Sequence, residues 1–589
     1  MTSEATRAST QRRGTIRRSL GALLKGCRWQ VLFLALTSFV GGLLEAGFLL
    51  LATRAAFAIT NRREVVDLVG NHSVPFDQLL VLAFVTAILR LCFALLAIWQ
   101  SARLTTDVVA RTRYDLAGAY LNATWAVQQS ERSGQLQELL TTFTTQGSNL
   151  LSAFTWGIAS AFNLLALVAT AIAIAPVGAL AVVVVGLLLS AVLRPIRKVV
   201  RSTSRRSADA GMQFAGSLAE LSTLGLEMHV FDVQDEMKDR VDNLIERHAH
   251  AERAMMFSRG VVPAVYTGLA YIALVGALAA LAVTKSSNIA TLGAVMLVML
   301  RSLSYAQAVQ TTFASIHSGM PFIETLQSKL DHYLAGARRE GGEEIGTIGE
   351  VALRGVTFAY EPGRPVLKDL TFAIRPHEMV GVVGPSGGGK STLVQLILGL
   401  REPDVGEILA DGRPTVSLSR SEWPRKVTFV PQQAHLINGT IEDNIRFMRS
   451  DVSTDQVLRA AELASLTRDL ESFPEGLDRE VGEQGGALSG GQQQRICIAR
   501  ALVEDPDVLV MDEPTSALDV HSENDVRQTL QRLKEDMTIV IIAHRLSTLD
   551  ICDRIMVIQA GKLQGFDDPR ELERSSEFFR EALRLSGLR

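Results

Sequence analysis

The residues best suited to chemistry are nine consecutive positions that match the phosphate-binding pattern G-x-x-x-x-G-K-[ST]. The apolar segment 379–383 ahead of them predicts a buried strand, and 393–398 behind them predicts a helix. Glycines let backbone N–H groups turn towards phosphate oxygens, and a helix N-terminus adds partial positive charge there. The pattern also predicts that its lysine reaches the β and γ phosphates and that its serine holds Mg²⁺. The nine residues are Gly384, Pro385, Ser386, Gly387, Gly388, Gly389, Lys390, Ser391 and Thr392.

A second apolar segment, 508–511, ends in two carboxylates, Asp512 and Glu513. The end of a strand beside a phosphate loop is where a Mg²⁺ ligand and a base for water are expected. We expect Asp512 to help hold Mg²⁺ and Glu513 to polarise the attacking water. Together with the phosphate loop, these acids predict a site that hydrolyses a nucleotide.

A third motif, L-S-G-G-Q at 488–492, precedes a segment with helical periodicity, 493–502. Two glycines and a serine at a helix start form an anion-binding nest. Alone, the motif could be a helix cap, but its serine lies 19 residues before the strand that starts at Val508, which disfavours that interpretation. A second phosphate cradle is hard to explain unless it serves the ATP of another domain. Its residues are Ser489, Gly490, Gly491 and Gln492.

The elements ahead of these motifs are strongly apolar, in a chain of 589 residues that is 47% hydrophobic. A bilayer core needs about 20 mostly apolar residues per helix. Six segments meet or approach this length, although the fourth is short and the sixth is polar in its second half. The six predicted spans are 31–52, 79–98, 150–175, 177–193, 261–283 and 289–318.

Basic residues in the loops predict the orientation of these spans. Lys and Arg number seven in 1–28, four in 101–149 and eleven in 194–259, whereas the opposite side carries four. The N-terminus is therefore expected in the cytoplasm, and six spans return the chain there. The phosphate loop would then lie where ATP is available.

The predicted fold class is a multi-domain membrane protein. An all-α transmembrane domain with long cytoplasmic helices is followed by an α/β P-loop ATPase domain. The net charge of −3 gives no indication of a nucleic-acid partner. The predicted divisions are a basic segment at 1–28, a six-helix transmembrane domain at 29–334, a linker at 335–348 and the ATPase domain at 349–589.

With these three motifs in this order, the chain resembles ABC transporters, specifically exporter-type half-transporters with one ATPase domain after six membrane helices. The resemblance implies that 384–392 is the Walker A loop, 508–513 the Walker B strand and 488–492 the ABC signature. Tyr360 looks like the aromatic ring that stacks on adenine, although it could be an ordinary strand aromatic. Gln432 looks like the glutamine that senses Mg²⁺ and water. His544 resembles the switch histidine that contacts the γ-phosphate, although it could instead cap a strand.

The resemblance implies ATP and Mg²⁺ as cofactors, with Ser391, Gln432 and Asp512 at the metal. It implies a dimer with a second half-transporter, identical or different, in which two ATPs are sandwiched between Walker A of one half and the signature of the other. The implied function is ATP-driven export or lipid flipping by alternating access, in a plasma membrane that is taken to be bacterial. The alternative is an ATP-gated channel or a regulatory ABC protein without net pumping.

Charged residues within the predicted spans are the best indication of substrate, because such groups are expensive in a membrane and usually face a cavity. Glu45 could pair with Arg90 or Arg301, or either arginine could bind an anionic group such as a lipid phosphate. Asn163 and Gln307 are further cavity candidates. Lipid or lipid-linked glycan flipping is one hypothesis, and export of an amphipathic drug or peptide is the other.

Overall fold

The computed structural model describes most of the chain from Gly26 to Leu585. The described ranges are 26–60, 65–67, 73–132, 134–174, 191–192, 194–283, 289–338, 341–514, 520–543 and 546–585. The chain divides into two compact units: one holds the residues up to Ala337, except the short segment Thr124–Gln128, and the other holds that segment and the residues from Arg338 onwards.

The first unit is built almost entirely from long helices. Among the described residues, three helices are long and apolar enough to cross a membrane: Arg28–Ile59, Phe76–Leu121 and Gln135–Ile172. Two further long helices hold the predicted fifth and sixth spans, whereas the fourth, 177–193, lies almost wholly outside the described residues, so six remains a predicted count. The elements are α1 (Arg28–Thr60), β1 (Val65–Asp67), β2 (Ser73–Pro75), α2 (Phe76–Leu121), α3 (Trp125–Ser130), α4 (Gln135–Glu138), a π-helical turn (Leu139–Phe143), α5 (Thr144–Ile174), α6 (Arg194–Thr223), α7 (Gly225–Phe231), α8 (Gln234–Val283) and α9 (Ile289–Ala335).

The expected extension of the helices beyond the bilayer is present. Helix α2 has 46 residues and α8 has 50, against the roughly 20 that a membrane core requires. Helix α2 ends at Leu121, and only short helical segments follow it before α5. Just after this helix end, Ala123 forms an isolated bridge with Ala337.

Small residues let α5 approach its neighbours closely. A Cβ added at Gly157 would lie 2.4 Å from Thr312 of α9, and one at Gly319 would lie 2.6 Å from Leu150. Between helices in lipid the hydrophobic effect gives no driving force, so close van der Waals contacts of this kind stabilise the bundle. These glycines therefore set the α5–α9 packing.

The second unit contains two sheets. The six-stranded sheet has the order β12-β11-β5-β10-β9-β8, with β12 antiparallel to β11 and the other pairs parallel. The four-stranded antiparallel sheet has the order β4-β3-β6-β7. The strands are β3 (Val351–Ala359), β4 (Pro365–Ile374), β5 (Met379–Val383), β6 (Val405–Ala410), β7 (Arg413–Pro414), β8 (Val427–Val430), β9 (Val508–Asp512), β10 (Thr538–Ile542), β11 (Arg554–Gln559) and β12 (Lys562–Asp567).

Helices cover the six-stranded sheet, as expected for parallel strands that are apolar on both faces. Strands β5 and β10 are buried at every residue. The helices are α10 (Lys390–Ile397), α11 (Trp423–Lys426), α12 (Ile441–Arg446), α13 (Thr454–Leu463), α14 (Thr467–Ser472), α15 (Gly490–Leu502), α16 (Val520–Leu533), α17 (Pro569–Ser575) and α18 (Glu577–Leu585). In such sheets ligands bind outside the carboxyl ends of the strands, where the loops after β5 and β9 lie.

Candidate functional site: a phosphate cleft and a membrane charge cluster

The phosphate loop joins the buried strand β5 to α10, as predicted. Gly384 cannot be replaced without a clash, because a Cβ there would lie 2.0 Å from the carbonyl oxygen of Ile558. Gly389 has a φ of +108°, in the left-handed region that side chains disfavour. These two glycines hold the loop tightly against β11 and turn it into the helix.

The start of α10 is suited to an anion. No side chain from the described residues caps this helix, so its terminal N–H groups face the loop without a competing acceptor from a cap. The Lys390 ammonium donates hydrogen bonds to the carbonyls of Gly384 at 2.8 Å and Pro385 at 3.2 Å. Burial lowers the pKa of Lys390, and the nearby Glu513 and Asp512 carboxylates oppose this shift.

Strand β9 delivers the two predicted acids to the same place. Glu513 follows the strand in a left-handed conformation with a φ of +47°, and its N–H donates to the Ile542 carbonyl at 3.0 Å. This backbone conformation is uncommon for a residue with a side chain. The amide of Gln432 donates to the Glu513 carboxylate at 2.8 Å. The turn after β9 thus aims the proposed base at the residue proposed to sense water.

The loop, the acids and the glutamine line one open cleft of about 270 Å³. A triphosphate with Mg²⁺ fits this donor set, since one end supplies an ammonium and an uncapped helix and the other supplies carboxylates, an amide and a hydroxyl. The lining residues are Val366, Ser386, Gly387, Gly389, Lys390, Ser391, Thr392, Gln432, Asp512, Glu513 and Ile542.

Tyr360 follows β3 and is half-exposed, and its hydroxyl lies 3.1 Å from that of Thr392 on α10. The guanidinium of Arg401 lies 4.6 Å from the centre of its ring, within the range of a cation–π contact. Sequence reasoning missed Arg401, because it has no motif around it. The contact and the hydroxyl pair hold the ring beside the phosphate loop, and its role at adenine stays a prediction.

The signature motif caps α15. The Ser489 hydroxyl accepts from the N–H of Gln492, and the Gln492 side chain accepts from the N–H of Ser489 at 2.9 Å. Asp469 fixes the helix start from the side by accepting from Gln492 at 3.0 Å and from Arg495 at 2.9 Å. Ser489 and Gly490 remain exposed. Within the described part of the chain, the signature does not line the cleft, so its helix start is open to a ligand held elsewhere.

A substitution at Ser489 can separate capping from phosphate binding. Ser489→Ala removes a cap worth about 1 kcal/mol, whereas Asp caps about as well as Ser. We expect Ser489→Asp to keep the parent's thermal unfolding midpoint but to lower ATP turnover at least about tenfold, because its carboxylate repels phosphate. Turnover and unfolding of the purified full chain are the measurements. Parent-level turnover by Ser489→Asp would show that no phosphate binds at this helix start.

One sequence prediction, the switch histidine His544, falls outside the described residues. Its role remains a prediction.

In the membrane unit, Glu45 pairs with both arginines. It accepts from Arg90 at 2.9 and 3.0 Å, from Arg301, and from the hydroxyl of Tyr305 at 2.6 Å. The pairing that the sequence left open is therefore formed. Tyr305 was not singled out from the sequence, although it lies one turn after Arg301, where a helix places a neighbour.

The other cavity candidates lie in different surroundings. Asn163 packs against α1, since a Cβ added at Gly42 would lie 2.8 Å from the Asn163 Cα. Its Oδ1 is buried without a hydrogen-bond partner within the described residues. Gln307 is half-buried on α9. Cavity roles for both remain predictions.

A Walker-type cleft in an α/β domain, joined to a unit of long apolar helices, defines an ATPase domain fused to a membrane domain. Residues 367–516 match the family model described as ABC transporter. The fold matches a bacterial Atm1-family ABC exporter solved with ATP bound, with a TM-score of 0.82 over 95% of this chain and 98% of that one, at 23% identity. Residues 367–516 therefore form an ABC transporter domain, and the chain has the fold of an ABC exporter with the long apolar helices of a multi-pass membrane protein.

Curated relatives match over shorter regions. The β-(1→2)glucan export ATP-binding/permease protein of Rhizobium meliloti is 39% identical over 42% of this chain and 43% of its own length. Its counterpart in Agrobacterium vitis is 31% identical over 62% and 66%. The ATP-dependent lipid A-core flippase of Ralstonia nicotianae is 41% identical over 40% of each. The chain spans less than two thirds of the length of these relatives.

Proposed function

We propose that this chain is one half of an ATP-driven exporter or lipid flippase. It would move an amphipathic or lipid-like substrate out of the cytoplasm or the inner leaflet by alternating access. The observation that carries the proposal is the hydrogen bond of 2.8 Å between Gln432 and Glu513 in the cleft that the phosphate loop lines. A domain that only bound a nucleotide would not need a base and a water sensor held together in the same cleft as the phosphate loop.

Within the cleft each side chain has a defined task. The loop N–H groups and Lys390 bind the phosphates of the substrate ATP. Ser391, Asp512 and Gln432 would hold Mg²⁺, which neutralises phosphate charge when it is bound. Glu513 accepts a proton from the attacking water. Tyr360 would stack on adenine, and Arg401 keeps its ring in place.

One ATPase domain does not complete this site. The exposed start of α15 has N–H groups and a serine suited to phosphate but does not line the cleft of its own chain within the described residues. We infer that it closes on the ATP of a second half-transporter, identical or different. Two ATPs then hold the domains together, and hydrolysis releases them. The fraction of dimers that are closed depends on how much more tightly ATP binds the closed form than the open form.

The membrane unit would convert this closure into access on alternate sides. The long helices α2 and α8 extend well beyond a bilayer thickness and can transmit domain movement to the spans. Basic loop residues support a cytoplasmic N-terminus and ATPase domain, and the bacterial relatives support a bacterial inner membrane.

The test is uphill transport in sealed vesicles with the ATPase domains facing outward. A fluorescent lipid or drug tracer should accumulate against its gradient only with ATP and Mg²⁺, and should stimulate ATP turnover. An ATP-gated channel would instead dissipate a gradient when ATP binds, with no uphill phase. That outcome would replace the pump by the channel.

A further inference from the structure

The charge cluster in the membrane unit joins three helices around one carboxylate. Glu45 lies on α1, Arg90 on α2, and Arg301 and Tyr305 on α9. Glu45 is almost fully buried, with a side-chain exposure of 8%. The Tyr305 hydroxyl donates to Glu45 at 2.6 Å and accepts from Arg90 at 3.3 Å. Every oxygen of this carboxylate is therefore occupied from within the chain.

This cluster carries one positive charge too many. Two arginines share one glutamate, and the sequence of the six predicted spans contains no other Asp, Glu, Lys or Arg, including the positions outside the described residues. A net charge at membrane depth is costly and ordinarily faces a cavity or a partner of opposite sign. The single carboxylate of Glu45 can therefore neutralise only one of the two guanidinium charges.

The surplus lies on Arg301. Its side chain is 50% exposed, whereas that of Arg90 is 25% exposed. Arg301 donates to Glu45 through Nε, and its guanidinium lies 5.2 Å from the centre of the Tyr305 ring. Leu297 and Ser304, one turn before and after it, are also exposed. This face of α9 offers a cation, a hydroxyl and an apolar surface together.

We propose that Arg301, with Arg90 behind it, binds the anionic head group of an amphiphilic substrate whose apolar part lies along the Leu297 face. The proposal rests on the proposed function and specifies its substrate class. The planar fork of a guanidinium suits phosphate and carboxylate groups. Glu45 and Tyr305 are positioning residues: Glu45 accepts from Nε of Arg301 and Tyr305 donates to Glu45, while half of the Arg301 side chain stays exposed to a ligand.

The test compares two probes with the same tail, dodecyl phosphate and zwitterionic dodecylphosphocholine. Binding of each radiolabelled probe is measured on the full chain in phosphatidylcholine nanodiscs. The parent should prefer dodecyl phosphate at least about tenfold. Arg301→Gln should lower dodecyl phosphate affinity about tenfold and leave dodecylphosphocholine nearly unchanged, whereas Arg301→Lys should retain part of the preference.

Two further variants test whether the charge cluster binds the ligand or only holds the helices together. Glu45→Gln raises the formal charge of the cluster and should preserve or increase dodecyl phosphate affinity. If the cluster only braced helices, Glu45→Gln and Arg301→Gln would weaken both probes equally, which would overturn the proposal. Arg54→Gln, which also removes one arginine from the membrane unit, is the matched control and should change affinity less than twofold.

Inorganic phosphate in excess distinguishes a small anion from an amphiphile. It should fail to displace dodecyl phosphate, because the tail contributes to binding; full displacement would overturn the amphiphile assignment. ATP turnover in the same nanodiscs distinguishes a wrong substrate class from a wrong proposed function. Turnover without a preference for dodecyl phosphate overturns only the substrate class, whereas the absence of turnover by the parent contradicts the proposed function itself.

Discussion

Glu513→Gln is expected to lower ATP turnover at least about 100-fold, the contribution of a positioned general base, while ATP binding persists. The amide has nearly the shape of the carboxylate and can still accept the hydrogen bond from Gln432, which is 2.8 Å long in the parent. It cannot take a proton from water. Because hydrolysis no longer reopens the domains, the variant should accumulate as a closed dimer with ATP. Steady-state phosphate release and retention of labelled ATP measure the two effects.

The matched control is Glu535→Gln. Glu535 is exposed in the same domain, and its substitution makes the same chemical change away from the cleft, so parent-rate turnover is expected. If Glu513→Gln hydrolysed ATP at the parent rate, Glu513 would not be the base. If it lost ATP binding as well, the residue would hold the ligand rather than act on water.

Lys390→Ala is expected to weaken ATP binding at least about 30-fold, since removing one partner of a buried charged contact costs about 2–5 kcal/mol. Lys390 is only 8% exposed and its ammonium lies over the loop, bonded to the Gly384 and Pro385 carbonyls. Loss of the ammonium leaves the phosphates with backbone N–H groups alone. Equilibrium binding of a fluorescent ATP analogue to the full chain measures the change.

Lys562→Ala removes an exposed ammonium from β12 and should leave ATP affinity unchanged. Lys390→Arg keeps the charge in a larger group and tests whether position or charge decides. Unaltered ATP affinity in Lys390→Ala would refute the phosphate-loop interpretation. The two prominent variants thus fail differently: Glu513→Gln binds without turnover, whereas Lys390→Ala fails at the binding step.

Local motifs made the nucleotide site predictable. The phosphate loop and the signature each place their functional atoms within a few residues of backbone, so residue type and spacing nearly determine their geometry. The loop does connect β5 to α10, and Ser489 does begin α15. Ser489 also caps the helix, which the sequence analysis gave as the alternative to an anion-binding nest. Capping and an exposed anion-binding N-terminus are compatible in one residue.

Contacts between distant segments were not predictable in the same way. Strand β10 separates β5 from β9 in the sheet, and it is the Ile542 carbonyl of β10 that receives the Glu513 N–H. No local pattern encodes that order, because strand pairing depends on which faces bury the most apolar surface. The contact of Arg401 with Tyr360, 41 positions earlier, depends on the same packing.

The sequence by itself determined that the chain has a phosphate loop, an acidic strand end, a signature helix and apolar helices with three charged residues, because those properties reside in short stretches. Only the tertiary structure decided that Glu45 joins Arg90 and Arg301, 45 and 256 positions away. Which side chains pair with a carboxylate depends on the distances that helix packing sets. That packing follows from glycines such as Gly42 and Gly157, which let one helix approach another closely.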